Sequence, residues 1–227
     1  MTELDEAITN SIKNFEKKFR QERLESIKEE SQEDNPYLYW PDTFWCESDM
    51  KYWIETELYK SLRSDRYAIH TEVSIDPSLF DEYKIEKLRR MINGRVSRED
   101  RVRRSLRPDL GIFSIREKDK MDSYAMMEFT FDLTIRNTPS GGSRLPKRTL
   151  DGAFKKLEIE AIRLQSAVEC KITDQGWIVF VHELLYELVS DNPEVRKRYN
   201  SIKDKYRNVE FHLMGTTYKE RAEAAGR

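Results

Sequence analysis

The chain has 227 residues, 36% of them charged, 38% hydrophobic and 11% aromatic, with a formal net charge of −2. This length supports one domain with a real core, and no apolar run approaches the roughly 20 residues of a membrane-spanning helix. Met1-Thr2-Glu3-Leu4-Asp5 lacks the layout of a signal peptide, and Cys46 and Cys170 with His70, His182 and His212 do not make a zinc framework, so a cytoplasmic protein with reduced thiols is expected.

In chain order, Leu4, Ile8, Ile12, Phe15 and Phe19 recur at helical spacing through a highly charged stretch. They predict a long amphipathic helix, part of an N-terminal extension over residues 1–35. Its apolar stripe is expected to pack on the domain or on a second copy, which makes a homodimer an expectation. Residues 33–45 form an aromatic loop broken by Pro36 and Pro41. Met50, Trp53, Ile54, Leu58 and Leu62 predict a second helix over 47–62. The β-rich alternation of residues 67–75 predicts a strand, ended by Asp76-Pro77.

Residues 79–105 read as a basic, helical insertion with a break at Asn93-Gly94. From Lys84 to Arg107 the basic residues are Lys84, Lys87, Arg89, Arg90, Arg95, Arg98, Arg101, Arg103, Arg104 and Arg107, against the acids Glu86, Glu99 and Asp100. Strands are expected over 108–115 and 124–135, with a polar hairpin loop at 117–123. A loop follows at 136–148. A third helix, capped by Thr149 or Asp151, runs to Cys170. The run Gly176–Val181 predicts a buried strand, two helices follow, and residues 208–214 form a last strand. Residues 219–227 read as a frayed polar tail. The order predicts one α/β domain over 36–218, a mixed central sheet with helices on both faces.

Two apolar segments each carry one acid. Asp109 stands in Arg107-Pro108-Asp109-Leu110-Gly111-Ile112-Phe113, and Glu128 stands in Tyr124-Ala125-Met126-Met127-Glu128-Phe129-Thr130-Phe131. An ionised carboxylate in an apolar strand is costly without compensation. Two of them on neighbouring strands suit a hard divalent cation with oxygen ligands.

A helix with an acidic residue, a strand, Pro108-Asp109 on a strand, Glu128 on the next, then a helix and a strand resembles the PD-(D/E)XK nuclease superfamily over residues 47–182. The resemblance implies a restriction-endonuclease-like fold and a nuclease that hydrolyses phosphodiesters with Mg2+ or Mn2+. It implies Asp109 and Glu128 as catalytic metal ligands, and a first-helix acid beside them, Glu55 ahead of Glu47, with Glu72 as a further candidate. The family's lysine two positions after the Glu is replaced by Thr130. Three accounts stay open. Lys155, or else Lys156, reaches back from the following helix; the metal alone activates water; or the site is inactive. The basic residues suit nucleic acid, DNA ahead of RNA: Arg101, Arg103, Arg104 and Arg107 on one side, Arg144, Lys147 and Arg148 on the other. The competing expectation is an inactive nuclease-fold module that binds nucleic acid or a protein partner.

Overall fold

The computed structural model describes residues 2–30, 46–73, 75–80, 82–84, 86, 107–117, 120–132 and 147–226, apart from a few side chains at element ends. The protein is α/β. One five-stranded mixed sheet has the order β1-β2-β3-β4-β5: β1 (Tyr67–Thr71), β2 (Leu110–Glu117), β3 (Lys120–Asp132), β4 (Gln175–His182) and β5 (Val209–Met214). The first three are antiparallel neighbours, and β4 and β5 run parallel to β3.

Side-chain alternation along the strands divides the interior in two. Leu110, Ile112, Ala125, Met127, Phe129, Trp177, Val179 and Val181 meet helices α1 (Glu3–Glu30) and α2 (Glu47–Ser61) on one face. Met126, Ile178, Phe180, Val209 and Phe211 meet α3 (Lys147–Glu169) and α5 (Pro193–Lys205) on the other. Gly176 lets α3 close on β4, because a Cβ there would stand 2.8 Å from the Leu164 Cβ. The expected sheet with helices on both faces is present.

Ile8, Ile12, Phe15 and Phe19 are fully buried in the core shared with the sheet, so the stripe of α1 packs on the domain, one of its two expected partners. The elements differ from expectation in four places. The first strand stops at Thr71 rather than residue 75, because Glu72 takes φ 51; its N–H still donates to the Asp109 carbonyl. The polar stretch 117–123 is largely strand, since β2 and β3 pair out to Glu117↔Lys120. Lys147 and Arg148, expected in a loop, open α3.

The fourth is the polar tail. It forms α6 (Tyr218–Ala224), capped by a reciprocal Thr217–Glu220 box. Buried Arg221 joins it to Glu187 of α4 (Glu183–Asp191) at 2.6 Å and to the Thr216 carbonyl. Most of the insertion 79–105, the aromatic loop and residues 136–146 lie outside the described residues. Among the described residues no helix is long and apolar enough to cross a membrane.

One end of the sheet is locked by a buried ion pair. Arg23, 1% exposed, donates to both carboxylate oxygens of Glu183, 0% exposed, at 2.8 and 3.1 Å, and Thr216 Oγ1 donates to the same carboxylate at 2.7 Å. His182 Nδ1 accepts from the Leu185 N–H at 3.3 Å and caps α4. Replacing Arg23 or Glu183 with alanine strands the other charge. Each variant is expected to lose roughly 3–5 kcal/mol in urea unfolding; a loss near 1 kcal/mol would place the pair in a wetter setting.

His212 stacks on Trp177 with ring centroids 5.5 Å apart. Burial, helped by Lys203 and Lys13, pushes its pKa down to about 4. A depressed histidine stays neutral when folded, while the unfolded chain takes up a proton below about 6.5, so stability falls as pH drops through this window. His212→Phe keeps the stack and removes the titration. Its Tm is expected to fall less than wild type between pH 7 and 5, by an amount worth about 1 kcal/mol; parallel curves would contradict the assignment.

Candidate functional site

The β2–β3 register decides where the two strand acids lie. Leu110 faces Met127, so one step outward Asp109 comes opposite Glu128 on the same side of the sheet. Their proximity is direct: Asp109 Oδ2 accepts from the Phe129 N–H at 2.8 Å. Gly111 lets Val73 pack directly on the strand next to Asp109, because a Cβ there would stand 2.7 Å from Val73 Cγ2.

Helix α2 delivers two groups to the same place. Its first turn is fixed by Asp49, which accepts from the Cys46 N–H at 3.0 Å. One turn apart, Glu47 and Lys51 share a helix edge. The Lys51 amine lies 3.7 Å from Asp109 and 3.9 Å from Glu72. Glu47 lies 3.7 Å from Lys156. Burial raises the Glu47 pKa and the Asp109 charge adds to the rise, while Lys156 and Lys51 oppose it. Glu55, favoured over Glu47 by the sequence, sits two turns further along α2 and makes no hydrogen bond or ion pair among the described residues.

Helix α3 supplies the third wall. Lys156, Glu160 and Arg163 are spaced i, i+4, i+7 and so form one row beside the apolar stripe Phe154, Leu157, Ala161 and Leu164. Arg163 Nη1 donates to Glu128 Oε1. Thr130 Oγ1 donates to Glu160 Oε1 at 2.9 Å, and the Lys156 amine stands 3.9 Å from Glu160. Lys156 therefore meets the cluster. Lys155, the substitute preferred from sequence, points outward, exposed, one position round the helix.

The electrostatics are those of crowded acids in a dry setting. Glu128 is 4% exposed; burial drives its pKa up to about 8, Asp109 and Glu160 push the same way, and Arg163 pulls it down. Glu160 is 5% exposed and rises to about 7 for the same reason, against Lys156, Thr130 and Arg163. Within this cluster two buried polar atoms have no hydrogen-bond partner among the described residues, Glu160 Oε2 and Arg163 Nε. Orphans of this kind are uncommon in folded proteins.

The oxygen-only set of Glu47, Asp109, Glu128 and Glu160 is the chemistry of a hard cation, and the orphaned Oε2 is a buried acceptor with spare capacity. As the side chains stand, no three His, Cys, Asp or Glu groups among the described residues are gathered closely enough to hold a metal ion. Of the basic residues expected to meet nucleic acid, Arg107 is exposed just before Pro108. Arg101, Arg103, Arg104 and Arg144, and the side chains of Lys147 and Arg148, lie outside the described residues. The sequence reading missed Lys51, Glu160 and Arg163. The charged 4-then-3 spacing at 156, 160 and 163 was the visible signal for two of these. No family model, curated protein or solved structure matches the chain.

Arg163→Met tests the electrostatics without a cation. A carboxyl raised in the folded state costs stability progressively above its unfolded pKa, as pH rises toward its folded value. Without Arg163 the folded pKa of Glu128 climbs further. In EDTA the variant's destabilisation is therefore expected to be small at pH 6 and to grow by about 1–3 kcal/mol by pH 9. A loss independent of pH would mean that Glu128 is charged throughout.

Proposed function

We propose that this protein is a Mg2+- or Mn2+-dependent nuclease with a restriction-endonuclease-like core, acting on DNA ahead of RNA. The observation that carries the reading is the register that sets Asp109 opposite Glu128, with Asp109 bonded to the backbone one residue beyond Glu128. The helix–three strands–helix–strand order of α2, β1–β3, α3 and β4 supports the core assignment.

Asp109 and Glu128 would hold the cation, with Glu47 as the first-helix acid. A divalent ion bound there supplies Lewis-acid polarisation of a phosphodiester and a lowered pKa for water. The chain's own cations do the rest. Lys156, about half exposed, presents an ammonium at the solvent side of the cluster and is suited to a phosphate's negative charge. Lys51 braces Asp109, so the carboxylate meets its ligand in one orientation. Arg107 lies at the approach and is suited to backbone phosphates. On this reading the lysine absent at Thr130 is replaced in charge by helix residues.

A second reading has its own support. Glu128 is engaged by Arg163, and the acids do not form a ready cage. That is the arrangement of a nuclease-fold module that has lost catalysis and binds nucleic acid or a protein.

The deciding experiment is supercoiled-plasmid nicking with Mg2+ or Mn2+, paired with Tm measured with and without each ion. Nicking that falls by about 100-fold or more in Asp109→Ala, with an ion-dependent rise in wild-type Tm, is expected. No nicking and no Tm shift with either ion would select the inactive module. Nicking unchanged in Asp109→Ala would mark a contaminant.

A further inference from the structure

The α1 side of the sheet is apolar across β3 and β4 and turns polar at β5. Trp177 faces Glu210 and Val179 faces His212 in the β4–β5 register. Alternation therefore puts Glu210 and His212 on the side where Trp177 and Val179 meet α1. β5 is an edge strand, and a cleft of about 520 Å³ lies between its polar row and the first turns of α1. That size falls among small-molecule sites. Glu128 alternates with Met127, which belongs to the α1 core, so the strand-acid cluster lies across the sheet from this cleft.

Two aromatic residues of the lining, Trp177 and His212, each carry an unsatisfied nitrogen. Trp177 is 4% exposed, yet its Nε1–H has no hydrogen-bond partner among the described residues, and neither has His212 Nε2. A buried indole N–H ordinarily finds an acceptor. The rim adds Asp5, Asp174, Glu210 and Arg207. Asp5 is already met by the Thr2 N–H at 2.8 Å and the Tyr124 hydroxyl at 3.0 Å. Arg207 donates through Nε to the Asp204 carbonyl at 3.1 Å. Among the described residues none of Asp174, Glu210 and Arg207 enters an ion pair, although they share one cleft.

These groups narrow the ligand. Three acids against one arginine disfavour an anion. No three metal-ligating groups are gathered among the described residues, so a bare metal ion does not fit. An apolar molecule would leave the indole N–H and the imidazole unpaired. A hydroxyl serves every one of them, since it donates to an acceptor-only carboxylate and accepts from a donor-only indole. Two adjacent hydroxyls can also span the two oxygens of a single carboxylate. We propose that this cleft binds an uncharged sugar through a vicinal diol, with Trp177 donating to a diol oxygen and with Asp174 and Glu210 accepting from hydroxyls. The sugar is either free or the ribose of a nucleoside. The proposal does not rest on the nuclease reading.

The test is proton–nitrogen NMR of the labelled full chain titrated with glucose, ribose, adenosine and 2′-deoxyadenosine. The Trp177 indole resonance is identified by its loss in Trp177→Phe, and binding is followed in parallel by the rise in Tm. That resonance is expected to move saturably with at least one diol probe by about 10 mM. Asp174 and Glu210 are exposed, so the double variant Asp174→Ala, Glu210→Ala keeps the fold; it should weaken binding at least about tenfold. Response to glucose or ribose assigns a free sugar. Response to adenosine alone, with 2′-deoxyadenosine at least about tenfold weaker, assigns a nucleoside. Equal binding of the two nucleosides, equal binding by the double variant, or no movement with any probe would each overturn the proposal.

Discussion

Burying an ionised carboxylate in a sheet costs several kcal/mol unless opposite charge and hydrogen bonds meet it. One face of β3 meets that cost at Glu128, whose pKa burial drives up to about 8, and neighbouring elements are arranged around it. Helix α3 answers with Arg163 and Lys156, α2 with Lys51, and the β2–β3 register sets Asp109 directly across. The same register fixes which residues of β3 enter each half of the core. A one-residue slip would send Glu128 and Thr130 among Ala125, Met127 and Phe129 and bring those apolar groups to the polar site. Pairing at the site and packing of the core are therefore one constraint, and neither can be altered alone.

The molecule contains two buried ionic networks of different character. Around Glu183 every polar group is matched: a forked guanidinium, a threonine hydroxyl, and Arg221 tying the same loop to Glu187. That network joins α1, α4 and α6 across large sequence separations and acts as a lock on topology. Around Glu128 the count of donors and acceptors does not close, with Glu160 Oε2 and Arg163 Nε left over. Satisfied networks specify structure, whereas a network left open departs from the local rules that the rest of the chain obeys. The contrast inside one protein separates architecture from site more firmly than either network would alone.

Much of the fold was legible because periodicity and burial agree. The stripe at Leu4, Ile8, Ile12, Phe15 and Phe19 reports a helix face, and Gly176–Val181 reports a strand covered on both sides. What sequence could not supply was where α1 packs, since an apolar stripe fits a sheet and a second copy equally well. The tail misled for a related reason: Tyr218–Ala224 is polar in composition, yet Arg221 is buried through partners 34 and 5 residues away. At the site, Asp109 and Glu128 were visible as charges in apolar strands. The choice of Glu47 over Glu55 and of Lys156 over Lys155 was not, because each pair differs by helix phase relative to a sheet whose position the sequence does not encode. Arg163 and Glu160 read as ordinary helix charges until β3 lies against them.

Charge counting explains why a lysine at 130 would sit badly here. Among the described residues the cluster already holds the acids Glu47, Asp109, Glu128 and Glu160 and the bases Lys51, Lys156 and Arg163. That set carries one net negative charge when all are ionised. A buried ammonium at 130 would cancel the excess, and under the proposed function a divalent ion would then meet no net negative charge. A neutral hydroxyl there preserves the excess negative charge, and it orients Glu160 instead of neutralising it. With Thr130 in that place, the positive charge beside β3 comes from helix residues, Arg163 on Glu128 and Lys156 beside Glu160.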